Sequence, residues 1–125
     1  MNKKLKLSQL GHTWLFDLDG TVLKHNGYLK DGKDTLLDGA LDFLKSIPEK
    51  DSIVFLTSRD SKYREITEEF LKKNQIRYDK IIFDLPYGER ILINDMKPGG
   101  LKTGIAINSQ RDEWAGITVE EDPSL

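Results

Sequence analysis

The sequence lacks cysteine, contains only two histidines among 125 residues, and has no apolar run that approaches a membrane span. Without cysteine there are no disulfides, thiol nucleophiles or thiolate metal ligands, and a zinc centre would need mostly carboxylate ligands. Any bound metal is therefore expected to have oxygen ligands. Residues 1–7 are basic but lead into no apolar region of a secretion signal, so we expect a cytoplasmic protein without a membrane partner.

An excess of charge of one sign is also lacking, because 19 Lys and Arg stand against 21 Asp and Glu, for a formal net charge of −2. The two signs are interspersed, which indicates no broad basic surface and disfavours nucleic acid, although a local basic groove is compatible with a balanced total. The length suits one domain over residues 1–125 that buries roughly two-thirds of its unfolded surface.

Short apolar runs alternate with helical patterns along the chain. The runs predicted as strands are 14–18, 52–56, 81–83, 91–93 and 105–107, and the helical stripes cover 34–47 and 61–73. This alternation predicts an α/β, three-layer Rossmann-like fold, with a mainly parallel five-stranded sheet, helices on both faces and no large cap domain. Residues 20–33 suit a small flap, and the polar tail, residues 109–125, contains a short apolar run at 117–119 that fits a last strand or a docked end.

Two carboxylates, Asp17 and Asp19, interrupt the end of the first apolar run. Unpaired carboxylates are costly to bury, so this pattern indicates either a solvated strand end or a cation site. In a doubly wound sheet the functional groups collect at the carboxyl ends of the strands. Carboxylates that converge there repel one another unless a cation such as Mg²⁺, often together with a phosphate, neutralises them. The other polar residues at these ends are Thr57, Ser58, Arg59, Asp84, Asn94, Asp95 and Lys97.

The segment Asp17-Leu18-Asp19-Gly20-Thr21, after an apolar strand, resembles the D-x-D-G-T signature of the haloacid-dehalogenase-like (HAD) phosphohydrolases. A second apolar run that ends in Thr57, and a later one that ends in Asn94-Asp95, resemble the following motifs of that family in the same order. The resemblance spans roughly residues 13–107 and implies a small phosphatase without a large cap.

The resemblance implies a role for each matching residue. Asp17 would attack phosphorus and form an aspartyl-phosphate, and Asp19 would act as the general acid and base. Gly20 permits the sharp turn, and Thr21 can form a hydrogen bond within that turn. Thr57 would hold phosphoryl oxygens. The groups expected to bind substrate are Gly20, Thr21, Ser58 and Arg59. Those expected around Mg²⁺ are Asp17, Asp19 and Asp95.

One residue of the family pattern is missing. A lysine usually precedes the closing acidic strand and neutralises the phosphoryl group, but residues 84–89 contain none. Lys80 should lie at the amino end of the sheet, away from the site. Lys97 follows a predicted strand at its carboxyl end, so we expect it to replace this lysine, with Arg59 as a second cation.

Three alternatives remain open at the level of sequence. A receiver module that accepts a phosphoryl group has similar length and an acidic cluster, with Asp84 as its candidate acceptor, but it leaves Gly20-Thr21 unexplained. A nucleic-acid end phosphatase is suggested by a faint similarity of residues 58–79 to the phosphatase domains of polynucleotide kinases. An inactive binding relative would explain the displaced lysine. Family analogy favours a sugar phosphate of surface-polysaccharide synthesis as substrate, and small capless relatives often form homo-oligomers.

Overall fold

A computed structural model describes residues 3–125. In chain order, the elements are β1 Lys3–Leu7, β2 Thr13–Asp17, α1 Gly27–Lys30, α2 Ala40–Ser46, β3 Ser52–Leu56, a 3-10 helix Ser61–Tyr63, α3 Arg64–Lys73, β4 Lys80–Ile82 and β5 Ile117–Glu121. Within these residues no helix is long and apolar enough to cross a bilayer.

The strands form two parallel sheets. One has the order β2-β3-β4, and the other pairs β1 with β5. In the larger sheet Phe16 lies beside Phe55, which lies beside Ile81, so the three strands run in step with their carboxyl ends at one edge. The predicted α/β class with parallel strands is confirmed, as is the strand in the tail, which pairs with Lys3–Leu7.

The prediction of one five-stranded sheet is wrong. Over residues 91–93 and 105–107 the structure has no strand, and Ile91 and Ile93 are 84% and 90% exposed. Both runs contain only three apolar residues and flank the turn-forming Pro98-Gly99-Gly100. Because a strand gains its stability from pairing and from packing of its neighbours, apolar character over three residues does not by itself specify one.

The core lies between the larger sheet and the helices. Phe55 of β3 and Leu71 of α3 are fully buried. Leu44 of α2 is also buried and belongs to the same core. An aromatic group joins this core to the tail, since the Trp114 ring lies 5.3 Å from Phe43 and 6.3 Å from Phe16. Each large apolar side chain buried in this way contributes roughly 1.5–3 kcal/mol to folding relative to exposure. The core thus fixes the sheet that carries Asp17.

The helix predicted over residues 34–47 corresponds to α2 and is shorter than its apolar stripe predicts. It begins at Ala40 rather than near residue 34, because residues 34–37 pair with the flap. Leu23 forms an antiparallel bridge with Leu36, and Lys24 N–H donates to the Thr35 carbonyl at 2.9 Å. The second predicted helix, 61–73, is confirmed as a 3-10 turn followed by α3.

Candidate active site

The carboxyl ends of β2 and β3 open into one cleft of about 1620 Å³. Asp17 ends β2, and Ser58 follows β3 by two residues. Asp19 and Arg90 line the same cleft. The structure therefore brings the predicted acidic pair to the edge of the sheet where parallel α/β folds place their ligands.

Asp17 is held by two donors and remains partly open to solvent. The Thr21 hydroxyl donates to Oδ2 at 3.1 Å, and Arg90 Nη1 donates to Oδ1 at 3.0 Å. The Asp17 side chain is 35% exposed. Each oxygen has accepted one hydrogen bond and retains a second acceptor position. Asp17 is thus oriented while keeping an oxygen available to a reacting group.

A left-handed glycine produces the turn after the acidic pair. Gly20 has φ +85, a backbone conformation that side chains disfavour, and its N–H donates to the Leu23 carbonyl at 2.7 Å. A Cβ at this position would lie 3.2 Å from Cγ of Arg111. Glycine is therefore favoured here by the positive φ, and a Cβ would in addition require a small shift of the Arg111 side chain.

Arg59 lies beneath the cleft and uses all five of its N–H donors. Nε and Nη2 each donate to one oxygen of Asp19 at 3.0 Å. Nη1 and Nη2 donate to the two oxygens of Asp34 at 3.0 and 2.6 Å, and Nη1 also donates to Thr67 Oγ1 at 2.9 Å. The guanidinium is 0% exposed and Asp34 is nearly so. Arg59, predicted to contact substrate, is placed so that it positions Asp19 instead.

The flap rests on the same arginine. Tyr28 of α1 covers the guanidinium of Arg59 at 3.9 Å, and the Tyr63 ring meets Tyr28 edge-on at 4.9 Å. Burial raises the pKa of Tyr28, and the nearby Asp19 charge adds to this. Burial alone would lower the pKa of Arg59, but its bonds to the two carboxylates outweigh this and raise it. The flap is thereby held against the rest of the domain by the contact between Tyr28 and the charged Arg59 side chain.

Thr57 and Ser58 are placed differently from one another. Thr57 is buried, and its hydroxyl oxygen accepts the Arg59 backbone N–H at 3.0 Å, an arrangement that shapes the turn after β3. Ser58 lines the cleft, and its hydroxyl donates to the Pro86 carbonyl at 3.2 Å. Of the two, Ser58 has the position that was predicted for a group beside substrate.

Asp95 and Lys97 lie on an exposed loop that also borders the cleft. The Asn94 amide donates to Thr103 Oγ1 at 2.8 Å, and the Thr103 hydroxyl donates to the Asp95 carbonyl. Lys97 N–H donates to the Leu101 carbonyl at 2.9 Å and thereby closes a turn. Its ammonium makes no hydrogen bond or ion pair within residues 3–125. The cation that contacts Asp17 is Arg90.

The predicted magnesium ligands are Asp17, Asp19 and Asp95. Across residues 3–125, no three His, Cys, Asp or Glu side chains are grouped so that they could hold an ion, and Asp95 is therefore not gathered with Asp17 and Asp19. Both oxygens of Asp19 are bonded to Arg59, so Asp17 is the accessible carboxylate of the pair. Of the predicted metal ligands, Asp17 is thus the residue that would hold Mg²⁺, an ion that proteins often bind with one or two carboxylates.

Three contributors were missed at the level of sequence. Asp34 falls at the start of the helix predicted over residues 34–47 and was given no functional role, and Tyr28 is one aromatic residue in the predicted flap. Arg90 follows the loop in which the family lysine was sought, so its position was a usable signal. The sequence did not reveal these contacts, because the partner of each residue lies 25 or more residues away along the chain.

Comparison with known proteins gives a limited set of matches. No protein-family model and no curated protein matches this chain. Two chains of solved structures do. One belongs to a structure of the Pnkp1/Rnl/Hen1 complex, with 29% identity and a TM-score of 0.52 over 69% of this chain and 32% of that one. The other belongs to a structure of the Pnkp1/Rnl/Hen1 RNA repair complex, with 30% identity and a TM-score of 0.52 over 68% and 29%. This chain thus corresponds to about a third of the matched chains.

Proposed function

We propose that this chain is a phosphohydrolase domain that cleaves phosphomonoesters through an aspartyl-phosphate on Asp17. The observation that carries the proposal is the placement of Asp17, which is fixed by Thr21 and Arg90 at the open end of the sheet and still exposed. A nucleophilic carboxylate needs this combination of orientation and access. The resemblance of residues 17–21 to the HAD signature supports the same chemistry.

In the proposed reaction an Asp17 oxygen forms a bond to phosphorus while the bond from phosphorus to the leaving oxygen breaks. Asp19 gives a proton to that oxygen. Water then attacks the aspartyl-phosphate, Asp19 takes a proton from the water, and inorganic phosphate leaves with Asp17 restored. Arg59 occupies one acceptor position on each Asp19 oxygen, so the proton is carried at the position that remains.

Charge on the phosphoryl group must also be offset. Arg90 is the cation already in contact with Asp17, and it would move its hydrogen bond to a phosphoryl oxygen when substrate enters. Magnesium, bound by Asp17 together with the substrate phosphate, would supply further neutralisation. Lys97 lies on the loop that borders the same cleft and is the second candidate for this role.

For the substrate, two observations favour the phosphorylated end of a nucleic acid over a sugar phosphate. Apart from the buried and fully paired Arg59, six Lys or Arg but only four Asp, and no Glu, line the cleft of a chain whose net charge is −2. A local excess of positive charge attracts a polyanion. In addition, the similar chains belong to a complex described as one of RNA repair. A cleft with this charge supports the local basic groove that the balanced composition had left open.

The test is release of inorganic phosphate from three substrates by the purified chain, with and without a chelator. The substrates are p-nitrophenyl phosphate, a sugar phosphate and a short single-stranded RNA with a terminal phosphate. We expect activity that the chelator abolishes and a kcat/KM that is highest for the RNA.

Asp17→Asn is the matched variant, because it keeps the size of the side chain and one oxygen that can accept from Arg90, but removes the nucleophilic charge. Its turnover should fall by several orders of magnitude. A rate for Asp17→Asn equal to that of the unaltered chain would exclude the aspartyl-phosphate, and preference for the sugar phosphate would exclude the nucleic-acid end.

A further inference from the structure

A turn from the carboxyl-terminal tail crosses the acidic signature. Residues Gln110–Glu113 form this turn, which is closed by the Glu113 N–H donating to the Gln110 carbonyl at 3.2 Å. The Asp112 N–H donates to the Gly20 carbonyl at 2.8 Å, and the Asp112 carboxylate accepts the His25 N–H at 2.7 Å. The turn is thus bonded both to the signature and to the flap.

The residue after this turn anchors it from the other side. The Trp114 ring packs against Phe43 and Phe16 in the core, and it comes so close to Gly39 that a Cβ there would lie 3.1 Å from it. A segment held by a partly buried aromatic side chain at one end and by backbone hydrogen bonds at the other has little freedom to move away. Gln110–Glu113 is therefore held in place beside the cleft, which Arg111 lines.

Arg111 is the side chain that this turn presents to the cleft. Its Cγ lies against Gly20, and it lines the cleft together with Asp17 and Arg90. Within residues 3–125 its guanidinium makes no hydrogen bond or ion pair, unlike Arg59, whose donors are all used. Five N–H donors in a fixed fork suit an oxyanion such as a phosphate. Neither the acidic pair nor the flap uses them.

We propose that Arg111, presented by Gln110–Glu113, binds a second phosphate of the substrate, next to the one that reacts at Asp17. The proposal rests on the proposed phosphatase function. It identifies the substrate as a single strand whose terminal phosphate reaches Asp17 while the adjacent phosphodiester contacts Arg111. A sugar monophosphate has no second phosphate for this residue. The other positively charged residues that line the cleft would then face the following phosphates of the strand.

The first experiment measures binding without turnover. Asp17→Asn provides a background in which a fluorescent single-stranded RNA with a terminal phosphate stays intact during an anisotropy titration. Adding Arg111→Gln should weaken binding about tenfold and reduce the slope of log K against log salt by roughly 0.7, the value for one phosphate contact on a single strand. Lys45→Gln in the same background is the control, because it removes one positive charge from the exposed surface of α2.

The second experiment uses substrates that separate a strand from a small molecule with two phosphates. For the chain with Asp17 intact, Arg111→Gln should lower kcat/KM for a terminally phosphorylated RNA and for a nucleoside 3′,5′-bisphosphate by a similar factor, about tenfold, relative to a nucleoside 3′-monophosphate. If Arg111→Gln lowered kcat/KM for the bisphosphate but not for the RNA, the substrate would not be a strand and that assignment would be overturned.

Unchanged affinity and an unchanged salt slope in Arg111→Gln would overturn the subsite itself, as would an equal effect of Lys45→Gln. These results differ from a failure of the proposed function. If the unaltered chain hydrolysed no phosphomonoester, the phosphatase proposal would fail, and the binding titration would still report whether Arg111 contacts a phosphate.

Discussion

Arg59 donates to both carboxylate oxygens of Asp19, each at 3.0 Å, from a guanidinium that is wholly buried. This bidentate contact explains how the chain tolerates two carboxylates at the end of a hydrophobic strand. The negative charge of Asp19 is offset by the buried Arg59, and that of Asp17 is offset by Arg90 in the cleft. The two acidic residues have separate cations and separate exposures, which suits them to the different roles of nucleophile and acid/base.

Arg59→Gln is expected to destabilise the fold by about 3–5 kcal/mol, because it leaves Asp19 and Asp34 in place without their buried counter-charge. Urea unfolding monitored by tryptophan fluorescence measures the change. Lys4→Gln is the control, since Lys4 forms an exposed ion pair with Glu120 whose loss should change the free energy of unfolding little. Equal midpoints for Arg59→Gln and the unaltered chain would contradict this account.

Asp19→Asn is expected to slow substrates with poor leaving groups most. An alkyl or nucleoside phosphate needs a proton on the departing oxygen, whereas p-nitrophenolate leaves without one. The rate should therefore fall by roughly 10²–10⁴ for a phosphorylated RNA end and much less for p-nitrophenyl phosphate. Steady-state rates on both substrates provide the comparison. A uniform loss on both would remove Asp19 from the role of acid.

Arg90→Gln should lower kcat by about 10²–10³, because the residue already contacts Asp17 and would follow the charge of the transferring group. Lys97→Gln tests the residue that the sequence predicted for this role, and Lys80→Ala is the control at the amino end of β4. All three are measured as kcat on p-nitrophenyl phosphate. A larger loss in Lys97→Gln than in Arg90→Gln would assign the role to Lys97.

Stability should depend on pH through Asp51, which is buried and accepts hydrogen bonds from Trp14 Nε1 and the His12 N–H, both at 2.9 Å. Burial opposes its charged form, but these bonds outweigh burial and lower the pKa of Asp51 in the folded chain. The stabilisation is therefore present above the unfolded pKa, about 3.9, and is lost as the pH falls through the lower folded value.

Asp51→Asn tests this assignment in urea unfolding from pH 3 to pH 7. The variant should be less stable than the unaltered chain at neutral pH, and the gap should narrow in acid as the native carboxylate takes up its proton. A gap that stays constant over this range would show that the charge of Asp51 contributes nothing.

Local sequence was sufficient wherever neighbours along the chain decide the structure. β2 and β3 follow from continuous apolar runs, and the turn at Gly20 follows from a residue that adopts positive φ without strain. The edge of the sheet that carries Asp17 follows from the alternation of strands and helices. Two apolar runs, 91–93 and 105–107, were misassigned because pairing, which is not local, decides whether such a run becomes a strand.

The sequence by itself determined the α/β class, the acidic signature and its place at the end of the first strand of the larger sheet. Only the tertiary structure decided which cation serves which carboxylate. Arg59, predicted to face substrate, turned inward because Asp34 and Thr67 supply acceptors that a buried guanidinium needs. Asp34 reaches it from the segment after the flap and Thr67 from α3. Arg90 and Arg111 came to the cleft through contacts with partners more than 70 residues away. Spacing along the chain does not encode such contacts, because they form only once the core has packed.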